Sequence, residues 1–396
     1  MRFTSSFAVF RYGPGEKVLA KARWFSREDK PAEAEQEYLQ ALTSDPDLRA
    51  GWLELFELLR VNERHAEALD LARRAEAHFG PDAAMPLAIK GAALAELGRT
   101  REAVEALEAS IERDGNLALA WHELAYAAYR AGEYSRALLV LDRAFSLEPH
   151  TDTLLLRGRI LREAGQYDAA EVAFEGAHQS AEHDPPRREA EREILATRRA
   201  AALGKRRPRD FSARERVFAE LGAVLLDGGT GALANGDDRA IRDLLAGCIG
   251  AFARLAAAIG WPVTACCSVL PKDGPLVEAV GRAVGIPVLP IGSVDGEDRP
   301  LLVTVHGDGE EWRKQLARLD RWKSGYTFAL TQPAGTADAA DVIGTLRSPC
   351  DASALYRHTA AALDMQTAIP GDEEIAALAR HPLARWRSRQ RASDVF

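Results

Sequence analysis

Side chains that could transfer protons or bind an ion occur in two short loops of the C-terminal half: Lys272, Asp273, His306 and Asp308. The first pair follows the apolar run 263–270, and the second pair follows the apolar run 301–305. If both runs are parallel strands, their carboxyl ends meet at one edge of the sheet, where ligands of open α/β sheets bind. The loops could therefore form an acid/base or metal site.

The same loops can also be explained without chemistry. Glu310 and Glu311 would stand in the first turn of a helix, where the helix dipole stabilises carboxylates. Residues 229–234 fit the pattern GxGxxA, but Asn235 and Gly236 interrupt the helix that a dinucleotide fingerprint requires. The sequence contains neither the phosphate-binding pattern GxxxxGK[ST] nor a Gly-x-Ser-x-Gly elbow. We therefore predict no cofactor and no metal, and keep catalysis by the loop residues as the alternative.

Composition and charge indicate a folded protein and argue against partnership with nucleic acid or membranes. The chain has 396 residues, 47% of them hydrophobic and 28% charged, which is enough for two folded units. Its net charge of -8 argues against nucleic acid as a partner of the whole molecule. The four cysteines do not have zinc spacing, and we expect reduced core thiols. Because no apolar segment approaches the length of a membrane span, we predict a cytoplasmic protein without membrane contact.

A repeat of about 34 residues fills the first half. Its clearest copies share the spacing A-x3-[YL]-x2-A-x4-P, beginning at Ala34 and at Ala137. Five copies start near the following residues: Gly15, Arg49, Ala84, Ala118 and Thr151. Small residues at Ala125 and Ala137 would let two antiparallel helices approach closely, and Pro149 would stop the second helix.

Over residues 15–204 the chain resembles the tetratricopeptide repeat family. The resemblance implies an all-α superhelical solenoid of five helix pairs, in which Gly98, Gly132 and Gly165 close the first helices. Residues 186–203 would form a helix that caps the last repeat. We assign residues 1–14 to an N-terminal segment, residues 205–211 to a linker and residues 212–396 to an α/β domain.

The resemblance also implies that the first helix of each pair lines a concave groove. The side chains expected to contact a partner there are largely apolar: Leu53, Ile89, Tyr126, Tyr129, Leu155, Leu156 and Arg159. Such a groove suits a hydrophobic peptide or helix. Two alternatives stay open, because these residues could instead pack on neighbouring helices, or residues 3–10 of the chain could fill the groove.

The second half alternates between strand and helix patterns, which predicts a mainly parallel sheet. Predicted helices cover residues 212–226, 238–259, 275–284 and 310–321, and predicted strands cover 263–270, 286–291, 301–305 and 327–330. The tail, residues 349–391, reads as mostly helical. Residues 276–287 resemble the helix and strand that follow the first core strand of type I phosphoribosyltransferases, but residues 305–312 lack the Thr-rich turn with which that family holds a 5-phosphate.

Two functions follow from these patterns. In the first, the protein is an adaptor or scaffold that binds a protein partner in the groove, and the α/β domain is a second module without catalysis. In the second, the α/β domain is an enzyme or sensor that binds a phosphosugar or nucleotide at Lys272, Asp273, His306 and Asp308, and the repeats regulate it. The repeats favour the first.

Overall fold

The computed structural model of the protein describes residues 14–182, 184–227, 238–294, 298–322, 325–332, 339–346 and 373–381. The chain divides into two compact units, Met1–Ile194 and Leu195–Phe396. We call them the helical unit and the α/β unit. The division differs from the predicted linker at 205–211, because it falls inside a long helix, and Leu203, directly after that helix, already packs on the core of the α/β unit.

The described residues of the helical unit form five antiparallel helix pairs followed by a single helix. The bounds are α1 (Pro14–Arg27), α2 (Pro31–Ser44), α3 (Arg49–Val61), α4 (His65–Phe79), α5 (Ala84–Glu96), α6 (Thr100–Arg113), α7 (Ala118–Arg130), α8 (Tyr134–Leu147), α9 (Thr151–Glu163), α10 (Tyr167–Ser180) and α11 (Asp184–Ala202). The first helices of the pairs, α1, α3, α5, α7 and α9, begin at or next to the residues predicted as repeat starts. This confirms the repeat-based fold.

Glycines permit both the turns and the close packing of the pairs. Gly98, Gly132 and Gly165 have φ of 73°, 77° and 78°, the left-handed conformation predicted for the residue that ends a first helix. Inside the pairs, a Cβ on Gly91 would lie 2.5 Å from Leu107 Cγ, and one on Gly158 would lie 2.5 Å from Phe174 Cε1. The helices therefore contact each other where a side chain is missing.

Helix α11 covers the apolar end of the helical unit. Its Ala190 and Ile194 belong to the same buried cluster as Phe174 and Ala177 of α10. Burial of this cluster removes the last pair's apolar face from water, as the capping role of such a helix requires.

The described residues of the α/β unit form a five-stranded parallel sheet in the order β1-β5-β4-β3-β2. The described elements of the unit are α12 (Ala213–Leu221), β1 (Val224–Asp227), α13 (Asp238–Ile259), β2 (Ala265–Ser268), α14 (Gly274–Val284), β3 (Pro300–His306), α15 (Gly309–Trp322), β4 (Tyr326–Thr331), β5 (Val342–Thr345) and α16 (Glu373–Arg380). Helices α13, α14 and α16 pack on one face and α15 packs on the other, while α12 contributes Phe218 to the first cluster and Val217 to the second. The predicted α/β class with a parallel sheet is confirmed.

Two of the predicted elements in this unit are wrong. The predicted helix 212–226 ends at Leu221, because Gly222 adopts φ 69° and the chain then enters strand β1. Val224, Leu225 and Leu226 would also fit the apolar face of a helix, but they form the buried part of the parallel strand β1. The predicted strand 286–291 is reduced to a single bridge at Val288, since Pro287 and Pro290 cannot donate ladder hydrogen bonds. The predicted tail 349–391 lies outside the described residues except for α16 and His381.

The sheet reverses its winding between β2 and β3. After β2 the chain enters α14 on one face and reaches the bridge of Val288 with Cys266 on the outer side of β2. After β3 it enters α15 on the opposite face and continues to β4. The carboxyl ends of β2 and β3 therefore form a topological switch point, the place where open α/β sheets bind ligands.

Candidate functional site

The predicted groove residues fall into two groups. Ile89, Leu155 and Leu156 are only 0%, 3% and 5% exposed and belong to the cores between helices. Leu53, Tyr126, Tyr129 and Arg159 are half-buried and reach the surface. Ile89, Leu155 and Leu156 thus pack on neighbouring helices, as in one of the two alternatives stated above. Apart from Leu53, the accessible predicted residues are aromatic or charged.

The centre of this surface is a cluster of charged side chains from three successive first helices. Arg60 of α3 lies 3.0 Å from Glu57 of the same helix, 3.8 Å from Glu96 of α5 and 3.9 Å from Glu123 of α7. Three carboxylates therefore share one guanidinium. We refer to Glu57, Arg60, Glu96 and Glu123 as the glutamate cluster.

Glu123 is the most unusual member of the glutamate cluster. It is only 2% exposed, and burial raises its pKa to about 7, an effect that nearby Arg60 opposes and that Glu57 and Glu96 increase. The side chain therefore exchanges its proton near neutral pH. The sequence gives no signal of this, because a glutamate at this repeat position reads as an ordinary groove residue.

Aromatic side chains extend the cluster along α7. The hydroxyl of Tyr126 donates to Glu96 at 3.4 Å and accepts a hydrogen bond from Arg130 at 3.0 Å. The ring of Tyr126 lies 6.4 Å from that of Tyr129, which lies 6.2 Å from Tyr134. This arrangement places half-buried aromatic faces beside an acidic cluster, which is a setting that binds cations and planar apolar groups.

Ion pairs at the two ends of the same face involve other first helices. At one end, Arg23 of α1 donates to Glu54 of α3 at 2.9 Å. At the other end, Arg159 and Arg162 of α9 both bind Glu193 of α11. Arg159, predicted to contact a partner, is therefore held by the capping helix. The glutamate cluster and the two tyrosines form the central part of the face.

Three of the basic residues between 197 and 216, namely Arg199, Arg214 and Arg216, bind backbone carbonyls of the α/β unit. Arg199 donates to the carbonyl oxygens of Ala219 and Glu220 at 2.9 and 2.8 Å, where α12 ends, and Arg214 donates to the carbonyl of Leu226 at 2.9 Å. These bonds satisfy acceptors at a helix end and a sheet edge. The geometry therefore supports a structural role for these arginines.

In the α/β unit, Asp273 holds its loop in place. The carboxylate is fully buried and accepts hydrogen bonds from the backbone nitrogens of Leu270 at 3.0 Å and Val305 at 3.2 Å. It thereby connects the end of β2 with β3. Burial raises its pKa, and these two bonds oppose the rise. Among the four loop residues, Asp273 has a clear structural function.

His306 is held in one tautomer at the end of β3. Its Nδ1 lies 2.7 Å from Thr331 Oγ1, and that hydroxyl donates its single proton to the carbonyl of Val305 at 2.8 Å. The Nδ1 is therefore the donor, which places the lone pair on Nε2. Burial lowers the pKa of His306, with an opposing effect of Asp308 and a reinforcing one of the exposed Lys272. A neutral imidazole at neutral pH results.

The described residues contain no group of three or more His, Cys, Asp or Glu side chains arranged to hold a metal ion. Cys248, Cys266 and Cys267 are buried, and burial raises the pKa of Cys266 to about 12 and that of Cys267 to about 11. The thiols of Cys266 and Cys267 are therefore protonated and unreactive at neutral pH. Cys350 lies outside the described residues.

Within the described part of the chain, no helix is long and apolar enough to cross a membrane.

No protein-family model matches the chain, and no curated protein matches it. Solved structures of repeat proteins resemble its helical half. TTC0263, a thermophilic TPR protein of Thermus thermophilus, is 16% identical with a TM-score of 0.41 and covers 46% of this chain and 99% of its own. PilW, a type IV pilus biogenesis factor, is 18% identical with a TM-score of 0.39 over 49% and 89%. YrrB, described as a TPR protein with an unusual peptide-binding site, is 18% identical with a TM-score of 0.29 over 44% and 89%. At these values the similarity gives no information on function.

Proposed function

We propose that the helical unit is a protein-interaction module, and that the protein is an adaptor or scaffold that binds a peptide or helix of its partner on the face formed by the first helices. The observation that carries this proposal is the glutamate cluster with Tyr126 and Tyr129. A stack of helix pairs presents such a face as an extended binding surface. The α/β unit is then a second module without catalysis.

The chemistry of the face indicates the kind of partner. Three glutamates around one arginine leave the cluster acidic when all of them are ionised, even after Arg130, whose Nη1 lies 3.6 Å from Glu96, is counted. A lysine or arginine of the partner would complete the cluster, and an adjacent apolar or aromatic side chain would pack on the tyrosines. We therefore propose a basic peptide with an apolar anchor, which refines the hydrophobic peptide expected from the sequence.

A peptide library displayed on phage tests the proposal. Selection on the full chain should enrich sequences with a lysine or arginine close to an aromatic or aliphatic residue. A synthetic peptide of the enriched sequence should bind the variants Tyr126→Ala and Glu96→Gln at least tenfold more weakly. Val172→Ser is the matched control, because Val172 is exposed on α10, a second helix. Equal affinity for all the variants would refute binding on this face.

The alternative that residues 3–10 occupy the groove concerns a segment outside the described residues. It can be tested with the same peptide. A chain that lacks residues 1–13 should bind the peptide with unchanged affinity if the partner is the occupant of the face. A tenfold gain in affinity would instead show that the segment competes for the face.

The position of the two loops that follow β2 and β3 favours a second function. His306, Asp308, Lys272 and Asp273 lie at the carboxyl ends of β2 and β3, at the topological switch point. We propose as the alternative that this edge binds a phosphosugar or nucleotide, with the exposed Lys272 on the phosphate. A ligand at 100 times its Kd should stabilise the protein by about 2.7 kcal/mol. A panel of such ligands that leaves the Tm unchanged would count against it.

A further inference from the structure

The α/β unit contains a cavity at the sheet edge opposite the switch point. It has a volume of about 350 Å³ and is bounded by α13, the end of β1, the start of α12 and α16. This volume is at the lower end of the range of about 300–1,000 Å³ that is typical of small-molecule sites. Because β1 and β3 are three strands apart in the sheet, the cavity is separate from the loop of His306.

One wall of the cavity is an apolar stripe of α13 that the core around the sheet buries only in part. Leu244, Ala251 and Ala258 recur every seven residues on α13 and line the cavity. The neighbouring stripe of the same helix, which includes Leu245 and Phe252, is fully buried against the sheet. Helix α13 is therefore apolar over a wider arc than its packing on the sheet requires. From Asp243 to Ala258 the lined part of the helix is about 22 Å long, so the cavity is elongated.

The polar side chains of the cavity differ in whether they already have partners. Arg214 donates to the carbonyl of Leu226 at 2.9 Å and lies 3.4 Å from Glu374. Asp227 accepts a hydrogen bond from Thr345 at 2.9 Å. These two groups are held by the fold, and each serves the edge strand of the sheet.

The two remaining charged groups are both on α13. Asp243 lies 3.8 Å from Arg239, one turn earlier on the exposed side of the helix. Arg254 forms neither a hydrogen bond nor an ion pair with any residue that the structure describes, although it is half-buried and lines the cavity. A half-buried guanidinium that no described carboxylate neutralises can bind an anion, and carboxylates bind it with charge-assisted hydrogen bonds.

We propose that this cavity is a binding site for an elongated apolar carboxylate of the medium-chain fatty acid class. The hydrocarbon chain lies along Leu244, Ala251 and Leu255, and the carboxylate pairs with Arg254. The apolar wall supplies affinity through burial, and the guanidinium selects the anionic head group. This site is independent of the peptide-binding face, so either proposal can fail without the other.

Calorimetric titration of decanoate into the full chain tests the site. Decanoate should bind with one-to-one stoichiometry, and Arg254→Gln should weaken it at least tenfold while leaving the affinity for decan-1-ol, which has the same chain without the charge, unchanged. Arg242→Gln removes the same charge from an exposed position of α13 that does not line the cavity and should have no effect. Ala251→Phe should abolish binding of both ligands by filling the cavity.

Each contrary result overturns a defined part of the proposal. Absence of heat with decanoate would mean that another segment or a partner covers this wall, and no fatty-acid site exists. Equal affinity in Arg254→Gln and Arg242→Gln would refute the role of Arg254 in binding the head group. Binding that persists in Ala251→Phe, with an unchanged circular dichroism spectrum, would place the ligand elsewhere on the molecule.

Discussion

The contact between Gly158 and Phe174 leads to a stability prediction. Two similar glycine-to-alanine substitutions should change the free energy of unfolding in opposite directions. A Cβ on Gly158 would lie 2.5, 2.6 and 2.7 Å from three carbons of the Phe174 ring. Since carbon atoms prefer separations of about 3.5–4.0 Å, the methyl group would overlap the ring by about 1 Å. Gly176 of α10 is the control, because its nearest neighbour, Leu154 Cδ1, would lie 3.6 Å from the new Cβ.

The expected magnitudes follow from helix propensity and packing. Alanine gains about 0.5–1 kcal/mol over glycine inside a helix. Overpacking a buried site costs about 1–3 kcal/mol, so Gly158→Ala should destabilise the helical unit by about 1 kcal/mol. Gly176→Ala should stabilise it by about 0.5–1 kcal/mol. The two variants should therefore shift the urea midpoint in opposite directions.

Urea denaturation followed by far-UV circular dichroism measures the effect, because helices of this unit dominate the signal. Adding Phe174→Leu to Gly158→Ala should restore part of the lost stability, since the smaller side chain gives room to the methyl group. The reasoning would be refuted if Gly158→Ala stabilised the protein as much as Gly176→Ala does. The helices would then be farther apart than this packing requires.

Three further predictions concern buried charges. Arg60→Met should lower the free energy of unfolding by about 3 kcal/mol in urea denaturation, because it leaves the partly buried glutamates without their shared cation, and adding Glu123→Gln should recover part of the loss. Since the pKa of Glu123 in the folded state, about 7, exceeds its ordinary value of 4.5, the folded state binds more protons between these pH values. The contribution of Glu123 to the free energy of unfolding should therefore fall on the order of 2–3 kcal/mol from pH 4.5 to 7.5, which is measured as the difference in pH dependence between the unmodified chain and Glu123→Gln. Asp273→Ala should cost about 1–3 kcal/mol through two buried backbone donors left unpaired, visible as a lower Tm of the α/β unit.

The sequence predicted the helical unit well because its information is local and repeated. Helix starts at Arg49, Ala84, Ala118 and Thr151 agree with the structure to the residue. The turn glycines carry a conformational requirement that few other residues meet. The predicted strand and helix around His306 are also confirmed, since a buried apolar run followed by Gly and acidic residues leaves little choice of structure.

Prediction failed where the deciding contact lies far away in sequence. Strand β1 was assigned to a helix because its pairing with β5, residues Val342–Thr345, is separated from it by more than a hundred residues. The burial of Ile89 could not be predicted from the sequence either, because repeat position alone does not tell how closely the neighbouring first helices pack. Its complete burial, and that of Glu123, depend on helix-to-helix distances that no local pattern encodes.

Hydrogen exchange measured by mass spectrometry, with and without a saturating library-selected basic peptide, tests the central claim most directly. The proposed binding face predicts that the peptide slows exchange in α5 and α7, which carry Glu96, Glu123, Tyr126 and Tyr129, and leaves α8 and α10 unchanged. Slower exchange confined to the second helices or to the α/β unit would contradict it. In that case the glutamate cluster would be a structural ion network of the repeat stack and not a surface for a partner.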